Sequence, residues 1–259
     1  MDALGFYFGF DVFQHGLVGQ SLGPDGAEYI FEAGVLKADL KLVPFMLGAA
    51  VNSPYSVSVH HEYFRHVAIP PNALTVENNR LLVIDYVVNW TMGTIVRQRL
   101  WRPRSEGDRR KHVTNAQLCL PIFFVHNNGT IGMTLEDAVQ GRCDSLREVG
   151  IAPYMGNKSS TQIRIGWLGY EDYHRQVQIK DETSAKQPIN LQHLVQHVGR
   201  TVDYFLQFKK EDAENPSHNW RVGGPDGITR DEINVLGLIH VSSGSWMPLL
   251  HVTRNVLQF

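Results

Sequence analysis

The chain is poor in cysteine. It has two in 259 residues, Cys119 and Cys143, with no CxxC pair and no Cys/His spacing of the kind that holds zinc. That argues against a disulfide-stapled or zinc-nucleated fold and predicts reduced thiols in a cytoplasmic protein. Long apolar runs are also missing. The longest, from Leu42 to Val51, is interrupted by Pro44 and is too short for a membrane-spanning helix, which needs about 20 residues. The opening residues, Met1-Asp2-Ala3-Leu4-Gly5-Phe6, lack the basic stretch of a signal peptide. Charge is sparse at 19%, the net charge is −2 and the pI is near 6.6, which argues against a dedicated nucleic-acid-binding domain. No repeat of solenoid or propeller period occurs; Gly-Pro-Asp-Gly recurs at 23–26 and 224–227, each time as a tight turn.

What is present favours a β-rich globular protein. Hydrophobic residues make up 43% of the chain, enough for a real core, and aromatics at 10% with 23 Gly and 12 Pro favour strands and turns. No linker divides the chain, so residues 1–259 read as one domain. The apolar, Gly-rich residues 1–54 read as an N-terminal arm or subdomain with a short helix near 36–42. Strands are expected from Tyr55 to Ile69, from Leu82 to Met92, and from Thr94 to Trp101, the last two forming a hairpin across Gly93. Further strands are expected over 118–125, 161–168, 173–180, 235–241 and 246–252. One helix is predicted from Thr134 to Val149, stopping at Gly150. The strongest runs from about 190 to 208, where Leu191, Leu194, Val195, Val198, Val202, Phe205 and Leu206 fall on one stripe behind an Asn190 cap. Without βαβ alternation, the fold class is α+β: an antiparallel sheet or sandwich core with two or three helices.

The charge is unevenly placed. Between Arg97 and His112 stand seven of the chain's 24 lysines and arginines against Glu106 and Asp108, so this segment is +5 and the remainder −7. A local positive field is a physical reason to expect an anionic partner. Arg97, Arg99, Trp101, Arg102, Arg104, Arg109, Arg110 and Lys111 are therefore the candidate anion-binding residues. Trp101 between Arg99 and Arg102 suits stacking of a base while the guanidinium groups take phosphates. The bland alternative is a solvated basic loop that keeps a sheet edge soluble. Arg97 and Arg99 read as projecting from a strand, and Arg102 to Lys111 as a mobile loop beyond it.

Other constellations are thinner. His193, His197, Arg200 and Tyr204 share the outer face of the 190–208 helix; their hydrogen-bonding side chains suit partner binding better than metal, for which a third ligand is lacking. His60 and Glu62 share a strand face and are candidates for a catalytic pair completed by groups from elsewhere, with the histidines near the C-terminus, His240 and His251, as further candidates. Gly156-Asn-Lys-Ser-Ser-Thr161 is not a phosphate loop, because Gly does not directly precede Lys and a strand rather than a helix follows. Ser243-Gly-Ser245 is not a nucleophile elbow. Cys119 reads as a core thiol and Cys143 as a helical one that could be exposed. No metal site and no cofactor are expected.

Leu120-Pro-Ile-Phe-Phe, Gly169-Tyr-Glu-Asp-Tyr-His-Arg-Gln-Val-Gln-Ile-Lys-Asp181, His197-Val-Gly-Arg200 and His240-Val-Ser-Ser-Gly-Ser-Trp-Met-Pro248 together resemble a group of uncharacterised proteins from mushroom-forming fungi. The resemblance spans 118–250. It implies an intracellular, lineage-restricted protein and assigns no activity and no functional residue. The sequence thus leads to a non-enzymatic binding or self-assembling protein, with self-association and an anionic polymer or acidic partner at 97–112 as its interactions. An enzyme with a His/carboxylate site assembled in three dimensions is the first alternative, and a membrane-active protein using the 82–101 hairpin the second.

Overall fold

The computed structural model describes residues 5–8, 11–35, 44–47, 56–60, 75–76, 81–115, 118–213 and 216–256. Within them the fold is α+β and built on two sheets. The first contains β1 (Gly5–Phe8), β2 (Pro44–Leu47), β3 (Ser56–His60), β4 (Thr75–Val76) and β5 (Leu81–Tyr86), in the order β1-β2-β3-β5-β4 and antiparallel throughout. The second contains β6 (Thr94–Ile95), β7 (Ile122–Phe123), β8 (Met133–Thr134), β9 (Ser160–Ile165), β10 (Tyr173–Gln178), β11 (Ile233–Ser242) and β12 (Ser245–Val252). Its path is β10-β9-β12-β11-β7, with β6 added to β12 and β8 to β11; only the β9–β12 contact is parallel.

The β11–β12 hairpin is the middle layer of the molecule. Ile239, Val241, Met247 and Leu249 face a core shared with the first sheet and with α1 (Asp11–Gln14), α2 (Leu17–Leu22) and α3 (Pro24–Ile30). Trp246, Leu250 and Val252 point the opposite way, into a second core beneath α5 (Leu135–Gln140) and α6 (Leu191–Phe208). A strand covered on both faces has no reason to alternate, which explains the run 235–241, apolar except for His240. Phe13, Leu17, Val18, Leu22, Ala27, Ile30 and Phe31 are all buried in the first core.

The 190–208 helix forms as α6, with the Asn190 side chain accepting from the His193 N–H at 3.0 Å and the apolar stripe buried. Its Gly199 lets α5 come close, since a Cβ there would stand 2.7 Å from the backbone at Ala138 and Val139. The 134–149 helix is shorter than its sequence suggests. Thr134 does cap it, but Gly141 enters the left-handed region at φ 71° and ends it after Gln140. The apolar run at 118–125 yields only the two-residue β7. The 82–101 hairpin does not form: β5 pairs with β3 and β4 in one sheet and β6 with β12 in the other. Leu82 to Tyr86 are buried on both faces, so their spacing is not the signature of a one-sided ribbon. The hairpin on which a membrane-active role would rest is therefore absent. No helix among the described residues is long and apolar enough to cross a membrane. The helix expected near 36–42 and most of the 55–69 strand beyond His60 lie outside the described residues.

One buried carboxyl ties the N-terminal helices to the first sheet. α2 starts at Gly16, which has no side chain to cap it. Asp85 of β5 supplies the acceptor instead, taking the N–H of Val18 at 3.2 Å and that of Tyr86 at 2.8 Å, with Leu17 adding a backbone hydrogen bond. The fit admits only glycine at position 16, where a Cβ would stand 2.1 Å from Asp85 Oδ2.

Candidate anion-binding cleft

The basic segment is neither a strand nor a mobile loop along its length. Arg99 is held at its root: its guanidinium pairs with Asp212 at 2.7 Å and Asp172 at 3.2 Å and donates to the Tyr170 carbonyl. Further on, Ser105 caps a helical turn, α4 (Glu106–Arg109), by accepting the Asp108 N–H at 3.0 Å. Helical backbone continues through Arg110–Thr114. Arg109 donates to the Pro103 carbonyl at 3.0 Å and the Arg104 carbonyl at 3.3 Å, which fixes the bend before α4. The far end is fastened to the β11–β12 turn, where the Ser243 N–H donates to the His112 carbonyl at 2.8 Å and His112 Nδ1 lies 2.9 Å from Ser243 Oγ.

That fastening encloses a cleft of about 600 Å³ between the segment, β9 and the turn 242–245. Arg104, Lys158 and Arg164 line it, with Asp108 the only carboxylate on its walls among the described residues. Ser160, Ser243 and Ser245 add hydroxyls. Among the described residues none of these three cations forms an ion pair, whereas Arg99, Arg142, Arg230 and Arg254 all do. Arg164 is fixed in place: its guanidinium lies 3.8 Å from the Trp101 ring centroid, Nε donates to Ser245 Oγ at 2.9 Å, and another N–H goes to Gln162. Partial burial lowers its pKa from the usual arginine value, opposed by the charge of Asp172, and an arginine so far above neutrality stays cationic. A preorganised, unneutralised guanidinium beside hydroxyl donors can hold a phosphate- or sulfate-sized oxyanion with little reorganisation.

The expected anion-binding set therefore divides. Trp101 and Arg104 line the cleft. Arg99 and Arg109 are engaged structurally, and Arg102 is exposed, lying 5.1 Å from the Tyr29 ring centroid. Arg97, Arg110 and Lys111 are exposed and do not line the cleft. Sequence reading missed Lys158 and Arg164, which stand far from the basic cluster in the chain. The signal that could have found them is the Lys158-Ser-Ser stretch: no helix follows it, as expected, yet its side chains reach the same anion-sized space. The Ser243-Gly-Ser245 turn belongs to the same wall.

Behind the cleft lies His240, 4% exposed. Its ring stacks on Trp246 at 4.3 Å between centroids, and Nδ1 accepts the Cys119 N–H at 2.8 Å. Burial is the main cause of a pKa pushed down to about 3; a hydrogen bond to the Ser242 backbone opposes it and nearby Lys158 adds to it. The ring is therefore neutral and structural. Both cysteines are buried, and burial raises their thiols to about 12 at Cys119 and about 11 at Cys143, so neither is set up as a nucleophile. Cys143 follows α5 rather than lying in it, and is fully inaccessible.

His60 ends β3, paired in register with Leu81, and Glu62 lies outside the described residues. No group of three or more His, Cys, Asp or Glu side chains that could hold a metal occurs among the described residues. His193, His197, Arg200 and Tyr204 do share the outer face of α6, where Arg175 of β10 lies over the Tyr204 ring at 4.4 Å. Burial, reinforced by the positive charges of Arg200, His193 and Arg175, lowers the His197 pKa. No protein-family model matches this chain, and no curated protein or solved structure matches it.

Proposed function

We propose that the protein is a binding module for an anionic ligand, taken up in the cleft between the 101–112 segment, β9 and the β11–β12 turn. The observation that carries this reading is the convergence of Arg104, Lys158 and Arg164, none neutralised by a partner carboxylate among the described residues, on one hydroxyl-lined space. The cations come from two separate stretches of chain, Arg104 from the basic segment and Lys158 and Arg164 from β9 and the residues just before it, and the Ser243 contacts to His112 fasten the basic segment to the turn that completes the wall. A phosphate or sulfate ester fits that chemistry best, because Arg164 keeps donors directed beside the serine hydroxyls.

Titration with tripolyphosphate at low salt tests it, with inositol hexasulfate as the sulfate arm. Binding should weaken as salt rises. Lys158→Ala and Arg164→Ala should each cost tenfold or more in Kd, about 1.4 kcal/mol. Arg110→Ala, outside the cleft, should cost less than twofold. Absence of binding at low salt, or equal losses from Arg110→Ala and Lys158→Ala, rejects the cleft.

Self-association remains a second reading because α6 exposes a stacked aromatic pair: Tyr204 is 41% exposed and Phe208 64%, with ring centroids 6.0 Å apart. Light scattering over a concentration series should then reveal association that Phe208→Ser weakens. A monomer at every concentration disposes of this role.

A further inference from the structure

A second cavity, also of about 600 Å³, opens at the end of the β11–β12 hairpin away from its turn and differs chemically from the cleft. Its floor is made by Leu17, Tyr86, Val88, Ile95, Met133 and Leu236, each less than a tenth exposed. These residues come from α2, from the end of β5 and the residues following it, and from β6, β8 and β11. The cavity thus lies where the first sheet's core meets the second sheet. Pockets of this size, largely apolar and placed between layers, are the usual form of small-molecule sites.

The rim defines what can enter. Among the described residues its only carboxylate, Asp137, and its only Arg or Lys, Arg142, are paired with each other at 2.7 Å, so neither presents an unpaired charge to a ligand. Asn89 and Asn128 also stand there. The Asn89 carbonyl oxygen accepts from the Thr91 N–H at 3.2 Å and its hydroxyl at 2.7 Å; that of Asn128 accepts from the Thr130 N–H at 3.0 Å and its hydroxyl at 2.7 Å. With the oxygens so occupied, each asparagine has its amide N–H groups left to donate. His126 is engaged on both ring nitrogens, with Ser145 at 2.8 Å and the Gly132 carbonyl at 2.7 Å. The floor is therefore apolar, the ionic groups of the rim are mutually neutralised, and Asn89 and Asn128 present donors to the space.

The geometry points to a binding site for an uncharged, largely apolar small molecule that carries acceptor oxygens, such as a ketone, ester or ether. It is independent of the anion cleft, with which it shares no lining residue. Nile red, a neutral aromatic dye with carbonyl and ether oxygens, is a suitable probe for the full chain. The sulfonated dye ANS serves as the charged comparator. Both are measured on the Lys158→Ala/Arg164→Ala chain, so that the cationic cleft does not capture the sulfonate.

Nile red should brighten and saturate at one dye per chain, with ANS at least tenfold weaker. Ile131→Trp, which fills the cavity from a partly exposed wall, should weaken Nile red tenfold or more while leaving the melting temperature within a few degrees. Should that variant fail to fold, Val87→Trp provides the same block from another partly exposed wall. Asn128→Asp, which replaces a donor with a carboxylate, should weaken it several-fold. The site is rejected if Nile red does not saturate, or if it binds the folded tryptophan variants as tightly as the parent. ANS binding as tight as Nile red, lost in the same variants, overturns the assignment to uncharged ligands.

Discussion

Acidification from pH 6.5 towards pH 3 should cost this protein more stability through His240 than through any other histidine among the described residues. The ring is neutral in the fold because burial holds its pKa down to about 3, whereas an unfolded histidine titrates near 6.5. Because the folded pKa is depressed, the unfolded chain takes up the proton first as pH falls. The stabilisation is fully present above pH 6.5 and is lost progressively down to about pH 3. Over that window the loss is on the order of 4 kcal/mol. Asp85 acts with the opposite sign. Burial raises its carboxyl well above 3.8 against the pull of its backbone donors, so its contribution favours the fold at low pH and is lost as pH rises through the folded value. Comparison between variants separates the two. Denaturant unfolding of His240→Asn, which keeps an acceptor for the Cys119 N–H, should give a flatter stability curve between pH 6.5 and 3 than the parent. Parallel curves for the two proteins would falsify the assignment.

The second large effect is expected from Asp85→Ala. At least two buried N–H groups, those of Val18 and Tyr86, lose their acceptor, and the first turn of α2 loses the cap that Gly16 cannot supply. A buried donor left unsatisfied costs about 1–3 kcal/mol; removal of a buried carboxyl returns part of that, leaving a net loss of about 3 kcal/mol. The damage should be local. Hydrogen exchange over 17–30 should accelerate by more than tenfold, while α6, which packs in the other core, should slow or quicken far less. Uniform acceleration across both cores, or a stability within 1 kcal/mol of the parent, would count against the cap.

How much of this was legible in the sequence depended on the range of the interactions. α6 could be read closely because one face is buried and one exposed, so its 3.6-residue period and its Asn190 cap are local properties. The strands over 161–168 and 173–180 form as β9 and β10 because their alternation is local in the same way. The 82–101 hairpin was misread because β5 is buried on both faces, which removes the alternation that would fix its side, and because Gly93 marks a crossing between sheets rather than a hairpin turn. At position 93, φ is 131° and a Cβ would stand 2.1 Å from the Val252 carbonyl, so the chain passes against β12 instead of folding back on β5. Within the cleft, Trp101 and Arg104 came from a visible cluster of charge. Lys158 and Arg164 are single cations whose relevance arises only when β9 lies beside β12. The Asp85 cap was similarly invisible, since acceptor and helix are 67 residues apart at Val18.

The position of the β11–β12 hairpin has a consequence for biosynthesis. Both cores lean on residues 233–252, which are made after every other described strand and helix. While the ribosome works, the N-terminal helices and the first sheet have no layer to close against, and α6 has its apolar stripe ready with only α5, β9 and β10 to cover it. Translation at roughly 5–20 residues per second leaves that surface uncovered for seconds to tens of seconds. The nascent chain should therefore depend on chaperones until the hairpin emerges. A ribosome stalled just before residue 233 should carry a chain that is sensitive to protease along its whole length.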